Sequence, residues 1–217
     1  VRTILGESIE DLGYGKDLYI TESPMTAIKA PVFSFTKLVD VDPVLGPEMK
    51  STGEVLGLGR SDPEAMFKAL LASGLRFPEK GSSVVFMLRD EDRRELIHLA
   101  EELYEMGFKL YGTSLVAQYL NLHWVPTNIL PEKLDLETLQ ELNVQLIVTT
   151  TNRPGDVTTP DYALRRIGLE HGIPSLSSLD TLRGVVEGLT FDIGVEDLFL
   201  APLVEFQADS NPQRKEK

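Results

Sequence analysis

Cysteine is absent from the 217 residues, which excludes a disulfide-stapled secreted scaffold. Basic residues are scarce: 21 Lys and Arg stand against 34 Asp and Glu, a formal net charge of -13 with a pI near 4.7. A nucleic-acid partner selects clustered Lys and Arg, so this balance excludes one and leaves an acidic, solubilising surface. No apolar run is long enough to span a bilayer, and no N-terminal charged-then-apolar pattern marks a signal peptide. The expected location is the cytoplasm, with no membrane partner. What remains is an ordinary globular composition, 42% hydrophobic and 25% charged, long enough for one domain or for a domain plus a fragment. The chain opens on Val1 rather than methionine, from which we expect a piece of something longer.

The organising stretch is Val84 to Ser114. Val84 to Leu88 is a continuous apolar run of the kind a parallel strand covered on both faces requires. Asp90 or Asp92 is placed to cap the helix that follows, where Leu96, Leu99, Ala100 and Leu103 recur at helical spacing and Glu95, Glu101, Glu102 and Glu105 face away. Gly107 ends that helix, and Phe108 to Tyr111 forms a second strand that delivers Thr113 and Ser114 to another helix start. Exposed amides and the positive end of a helix dipole favour a phosphate or carboxylate at such a point.

Upstream, Val1 to Tyr14 has Ile4, Leu5, Ile9 and Leu12 at roughly helical spacing, which predicts a short helix. Leu18 to Ile20 and Ala27 to Phe35 have strand composition, with Pro31 placing the second at an edge or falling at its first residues. Val41 to Gly59 is dense in Gly and Pro and reads as connector. Ser61 caps a helix over Asp62 to Ser73, and Leu75 to Ser83 is the best linker. Downstream, the pattern predicts a helix over Leu115 to Leu122, a loop from Trp124 to Pro131 and a helix near Leu134 to Leu142. A strand over Val144 to Val148, a helix over Tyr162 to Leu169, a strand over Ile173 to Leu176 and a helix over Leu179 to Leu189 follow. Repeated strand and helix with short connections implies an α/β fold, a parallel sheet with helices on both faces. Ligands of such sheets bind beyond the carboxyl ends of the strands. Those ends hold Thr113 and Ser114, then Thr149, Thr150, Thr151 and Asn152, then Ser177 and Ser178. Each cluster also suits ordinary helix capping.

Two stretches carry a family resemblance. Pro31 to Gly57, PVFSFTKLVDVDPVLGPEMKSTGEVLG, resembles the end of the second ATP-grasp module in the large subunit of carbamoyl-phosphate synthase. The alternating region, with LAEELYEMGFKLYGT and LRRIGLEHGIPSLSSLDT, resembles the methylglyoxal-synthase-like regulatory domain that follows in that enzyme. The resemblance divides the chain into a small α+β module tail over 1–74, a linker over 75–83, the regulatory domain over 84–205 and a disordered tail over 206–217. It implies an effector-binding region of an ATP-dependent ligase that makes carbamoyl phosphate from bicarbonate, glutamine-derived ammonia and two ATP. The ATP and Mg sites of the parent lie upstream in the family, so no cofactor, metal or catalytic residue is expected in this piece. The implied partners are the rest of the large subunit, the glutaminase small subunit, further copies in an oligomer, and an anionic effector such as UMP or IMP.

Carried over residue by residue, Arg93 stands where nucleotide-binding members hold phosphate with Lys, and Thr113 keeps the first hydroxyl of their turn beside Ser114. Leu115 and Val116 replace a Gly and a Thr, and Thr127 replaces a second Lys. Thr149, Thr150, Thr151 and Asn152 keep the polarity of the last motif. Family members that respond to ornithine bind it between the two parts. Ala30 and Ser177 stand where those members have Glu and Thr, which argues against ornithine activation. Two alternatives stay open: a ligand-free domain serving assembly alone, and a lyase of the methylglyoxal synthase type. The lyase needs a poised carboxylate and histidine, whereas Asp156 reads as a turn residue and His98, His123 and His171 suit surface or cap roles. Arg153, Arg165 and Arg166 also have acidic neighbours to pair with, Asp161 and Glu170 among them. Trp124 reads as an amphipathic cover for the sheet edge, with stacking on a ligand base as its alternative.

Overall fold

The computed structural model describes residues 1–13, 25–34, 42–150, 155–191 and 198. A two-stranded antiparallel hairpin, β1 (Thr26–Phe33) and β2 (Ser51–Gly59), carries helix α1 (Asp62–Ala72). The remainder alternates: β3 (Ser83–Met87), a 3-10 turn at Asp90–Asp92, α2 (Arg93–Glu105), β4 (Lys109–Gly112), α3 (Ser114–Leu122), β5 (Asn128–Ile129), α4 (Leu136–Glu141), β6 (Val144–Thr149), α5 (Pro160–His171), β7 (Ser175–Leu176) and α6 (Leu179–Thr190). The five strands from β3 onward form one parallel sheet in the order β5-β4-β3-β6-β7.

The core explains the continuous apolar run of β3. Val84 and Phe86 face one layer with Leu96, Leu99 and Leu103 of α2, Val116 and Leu120 of α3, and Leu182 and Val185 of α6. Val85 faces the other, with Leu139 of α4, Ile147 of β6 and Leu164 of α5. Alternate residues of one strand are thus buried on opposite faces, as a doubly covered parallel sheet demands. The α/β class and the helices on both faces are as the sequence predicts.

Three local expectations change. Residues 1–13 form hydrogen-bonded turns rather than a helix, and Ile4 and Leu5 remain 87% and 76% exposed. So short a segment holds helix only when its apolar side is packed, and here it is not. Ser51–Gly59 is a full strand paired to β1, with Pro31 opposite Glu54, rather than connector. Its glycines serve packing: a Cβ on Gly57 would lie 2.2 Å from the Ala65 carbonyl oxygen, and one on Gly59 would lie 2.5 Å from the Ala65 nitrogen. Helix α1 therefore rests directly on the strand backbone, a close approach that only glycine permits. The stretch after Trp124 contains β5, the short edge strand. The strand expected over Leu18 to Ile20 and the tail over 206–217 lie outside the described residues.

The hairpin and α1 dock onto the α/β part. Phe77, between α1 and β3, stacks on Phe67 of α1 with ring centroids 4.7 Å apart. A Cβ on Gly184 of α6 would meet the Met66 sulfur at 3.2 Å, and one on Gly188 would meet the Phe77 ring at 2.9 Å. Leu75 and Phe77 pack against the larger core cluster, so the 75–83 stretch is a packed connection.

Because the β2 to α1 contact has no room for a side chain, Gly57→Val should destabilise the fold by about 1–3 kcal/mol, the usual cost of overpacking. Urea unfolding should show a lower midpoint for this variant than for Gly53→Val, since a Cβ at Gly53 meets nothing within 4 Å.

Candidate functional site

The crossovers run from β3 toward β4 and from β6 toward β7, so the topological switch lies between β3 and β6, where a sheet of this kind opens a crevice. Here that junction is laced. The Thr150 amide donates to the Met87 carbonyl at 3.1 Å, and the Arg89 amide donates to the Thr150 hydroxyl at 3.0 Å. On the other side of β3, the Thr113 amide donates to the Phe86 carbonyl at 3.2 Å. Thr113 and Thr150 therefore flank the end of β3, roughly 10 Å apart at ordinary strand spacing.

Among the described residues, Arg89, Arg93 and Arg165 at these ends each carry their own acid. Arg89 grips Asp92 through Nε at 2.8 Å and Nη2 at 2.9 Å. This pairing and a hydrogen bond from Thr150 hold the Asp92 carboxyl below the usual range despite its burial. Asp92 occupies the cap position of α2, yet its carboxylate serves Arg89 instead of the helix. Arg93 pairs with Asp90, while its Nε is buried without a hydrogen-bond partner.

The tightest cluster is centred on Arg165. Sequence spacing predicts its pairing with Asp161 one turn away, and that of Arg166 with Glu170; both form. Spacing does not reveal that the Arg165 side chain is 1% exposed, or that a second carboxylate arrives from 123 residues upstream. Arg165 donates from Nε and Nη2 to the two oxygens of Asp42, each at 3.0 Å. Its Nη1 donates to Asp161 at 2.7 Å and to the Thr149 hydroxyl at 3.2 Å. Asp42 also accepts from the amides of Gly155 at 3.0 Å and Val44 at 3.3 Å. Burial pushes the Asp42 carboxyl up, but the Arg165 hydrogen bonds and the Gly155 amide outweigh it, and the net shift is downward. Neither Asp42 nor Arg89 carries a sequence signal: an aspartate before proline reads as a turn residue.

The other candidate residues divide between two places. Thr149 is fully buried and tied to Arg165, and Thr150 is buried with its hydroxyl on the Arg89 amide. Thr113 stands at the start of α3 without capping it through its side chain, and Ser114 is exposed beside it. Thr127, where the resemblance has Lys, is buried with its hydroxyl on the Val125 carbonyl. Ser177 lies beyond β7 and lines, with Ala30 of β1, a cavity of about 530 Å³ between the hairpin and the β7 edge. Thr151, Asn152 and Arg153 fall outside the described residues.

The histidines are on the surface. His98 is 85% exposed, His171 is exposed, and His123 bonds the Tyr119 carbonyl at 2.8 Å. The Asp156 carboxylate accepts from the Thr158 amide and hydroxyl, as a turn residue does. Trp124 does not cover the sheet edge. It is 94% exposed, with φ of 67°, in the left-handed position after α3 that glycine usually fills, and Val125 is buried instead.

A family model described as the MGS-like domain matches residues 95–177. The fold is similar to the crystal structure of methylglyoxal synthase from Elizabethkingia anophelis NUHP1, at 12% identity over 51% of this chain and 79% of that one, with a TM-score of 0.38.

Arg165→Met strands two buried carboxylates and should cost about 3–5 kcal/mol in urea unfolding. A pH prediction follows for Asp42. The unfolded carboxyl takes its proton near pH 3.9, and the folded one takes it lower. Its stabilisation is therefore complete above about pH 5 and is lost as pH falls through the folded value. Asp42→Asn should be less stable than the parent at pH 7 and should lose less stability between pH 5 and pH 2, as read from thermal midpoints across that range.

Proposed function

We propose that this chain is the regulatory end of the large subunit of a carbamoyl-phosphate synthase, a ligand-binding region rather than a catalytic one. The observation that carries the reading is the Asp42 to Arg165 bridge joined to the MGS-like match. A segment upstream of that domain delivers a carboxylate to the buried arginine of α5, at the strand ends where sheets of this class take ligands. A ligand that shifts α5 or the β6 end there acts on the upstream segment through a stiff, desolvated contact. That is the physical requirement for passing an effector signal to ATP-using modules elsewhere in the same subunit.

Residues 1–74 then belong to the last ATP-grasp module and 84–205 to the regulatory domain. ATP, Mg and the glutaminase subunit engage the rest of the enzyme, which works in the cytoplasm for pyrimidine or arginine synthesis. The lip offers an anionic effector the Arg93 guanidinium, which already pairs with Asp90, and the start of α3, where Thr113 and Ser114 leave the first-turn amides without a side-chain cap. The engaged Asp156 and the surface histidines support a binding role over lyase chemistry.

A second reading, assembly without an effector, has a specific observation behind it: Arg89, Arg93 and Arg165 are each already paired with a carboxylate. Calorimetric titration of the chain with UMP, UTP and IMP separates the two. Saturable heat from at least one nucleotide, weakened at least tenfold in Thr113→Ala by loss of one charge-assisted hydrogen bond, is the expected result. Silence from all three leaves assembly as the function.

A further inference from the structure

Between Lys109 and Glu132 the sequence carries no Asp, Glu, Lys or Arg, although 25% of the chain is charged. The run covers most of β4, then α3 and the edge strand β5. Its inner face is core: Val116, Ala117 and Leu120 of α3 and Val125 after it are buried. Its outer face lacks the polar side chains that a solvated helix presents. Leu115 and Leu122 stand about two turns apart on one side of α3, Trp124 follows, and Ile129 lies on β5. All four are exposed, Leu122 and Trp124 by 77% and 94%. Trp124 is held in place. Its φ of 67° is a conformation that favours glycine, and the backbone on either side is tied to α3. The Trp124 amide donates to the Asn121 carbonyl at 3.1 Å, and the Val125 amide donates to the Leu120 carbonyl at 3.0 Å. The Asn121 side chain donates to the Thr127 carbonyl at 2.7 Å and accepts from the Thr127 amide at 3.1 Å. A large indole thus stands in water on a fixed backbone, at a position that glycine would take with less strain.

We propose that this face is where two copies of the chain meet, around a two-fold axis that lays α3 and Trp124 of one copy on the same residues of the other. The charge of the surface selects the partner. A face built for a basic or an acidic protein carries the opposite charge, and this run carries neither, so its match is another neutral, apolar surface. A second copy supplies that surface by symmetry. A formal net charge of -13 makes two copies repel, and a run without charge is where they approach with least repulsion. The area is adequate. An exposed tryptophan offers up to about 250 Å². Together with Leu115, Leu122 and Ile129, and with the exposed Gln118 and Asn128 beside them, it provides the apolar centre and polar rim of a standard contact, about 800 Å² per partner. Pro126 and Pro131 flank β5 and blunt it as a template for a further strand, so side chains carry the contact. This interface goes beyond the effector reading and needs no ligand at the strand ends.

Trp124 is the sole tryptophan, so its emission reports the interface directly. Sedimentation velocity on the full chain over a range of concentrations should show a monomer to dimer equilibrium. On dilution, Trp124 emission should move to longer wavelength and its quenching by acrylamide should rise. Trp124→Gly, which suits the left-handed backbone, should weaken the dimer by at least about thirtyfold. Leu122→Asp, which sets like charges across the axis, should leave only monomer. Leu5→Asp, at an apolar side chain of similar exposure elsewhere, should leave the dimer unchanged. Circular dichroism verifies that each variant is folded. A monomer at every concentration, with a fully quenchable tryptophan, would overturn the proposal and leave the face to a different protein. A dimer that survives both Trp124→Gly and Leu122→Asp would overturn it as well, by placing the contact on another surface.

Discussion

Everything at the strand ends depends on how one buried arginine is satisfied. Moving a guanidinium and two carboxylates out of water costs several kcal/mol per ion, and the attraction among them offsets this only when geometry and hydrogen bonding are good. Arg165 meets that condition with four hydrogen bonds to Asp42, Asp161 and Thr149. The cluster still carries one excess negative charge, and the amides of Gly155 and Val44 are turned onto Asp42 to hold it. Three segments distant in sequence are thus fixed by a single side chain. Arg165 pins the register of α5 on the sheet, the position of the loop at residue 42, and the end of β6.

Helix α5 serves two places at once. Arg165 faces the strand ends, while Gly168, one turn later, lies so close to β7 that a Cβ would fall 2.4 Å from the Ser175 hydroxyl. Another turn on, Gly172 ends the helix at the mouth of the edge cavity. The loop that Asp42 anchors supplies Pro43 and Leu45 to the same cavity. The lip and the cavity therefore share a helix and a loop held in common by one ion cluster. Mechanical independence of the two would require that cluster to yield, and its arginine side chain is 1% exposed and makes four hydrogen bonds.

How much of this was legible in the sequence follows from the range of each interaction. The alternation of strand and helix from Val84 was readable because Val84 to Leu88, Leu96 to Leu103 and Val144 to Val148 each record burial in their own periodicity. Caps were readable where a hydroxyl served its own helix, as Ser61 and Ser178 do. Asp92 and Thr113 hold cap positions without capping through their side chains, and Asp92 turns its carboxylate to Arg89. β2 was hidden because Gly57 and Gly59 mark a close approach by α1, and glycine in a strand looks like a loop until the approaching helix is seen. The pairing of Arg165 with Asp161 was readable at one-turn spacing, whereas Asp42 was not, since no local pattern marks a contact made across 123 residues.

The same distinction governs what charge at a site means. Counting basic residues at the strand ends favours an anion, because Arg89, Arg93 and Arg165 all gather there. Counting what each one faces reverses the sum: Asp92, Asp90, Asp42 and Asp161 are already in place, and Glu91 stands 3.8 Å from Arg89. A ligand responds to the field left after such pairs have closed, and among the described residues that field at the lip rests on the first-turn amides of α3, since the unpartnered Nε of Arg93 is itself buried.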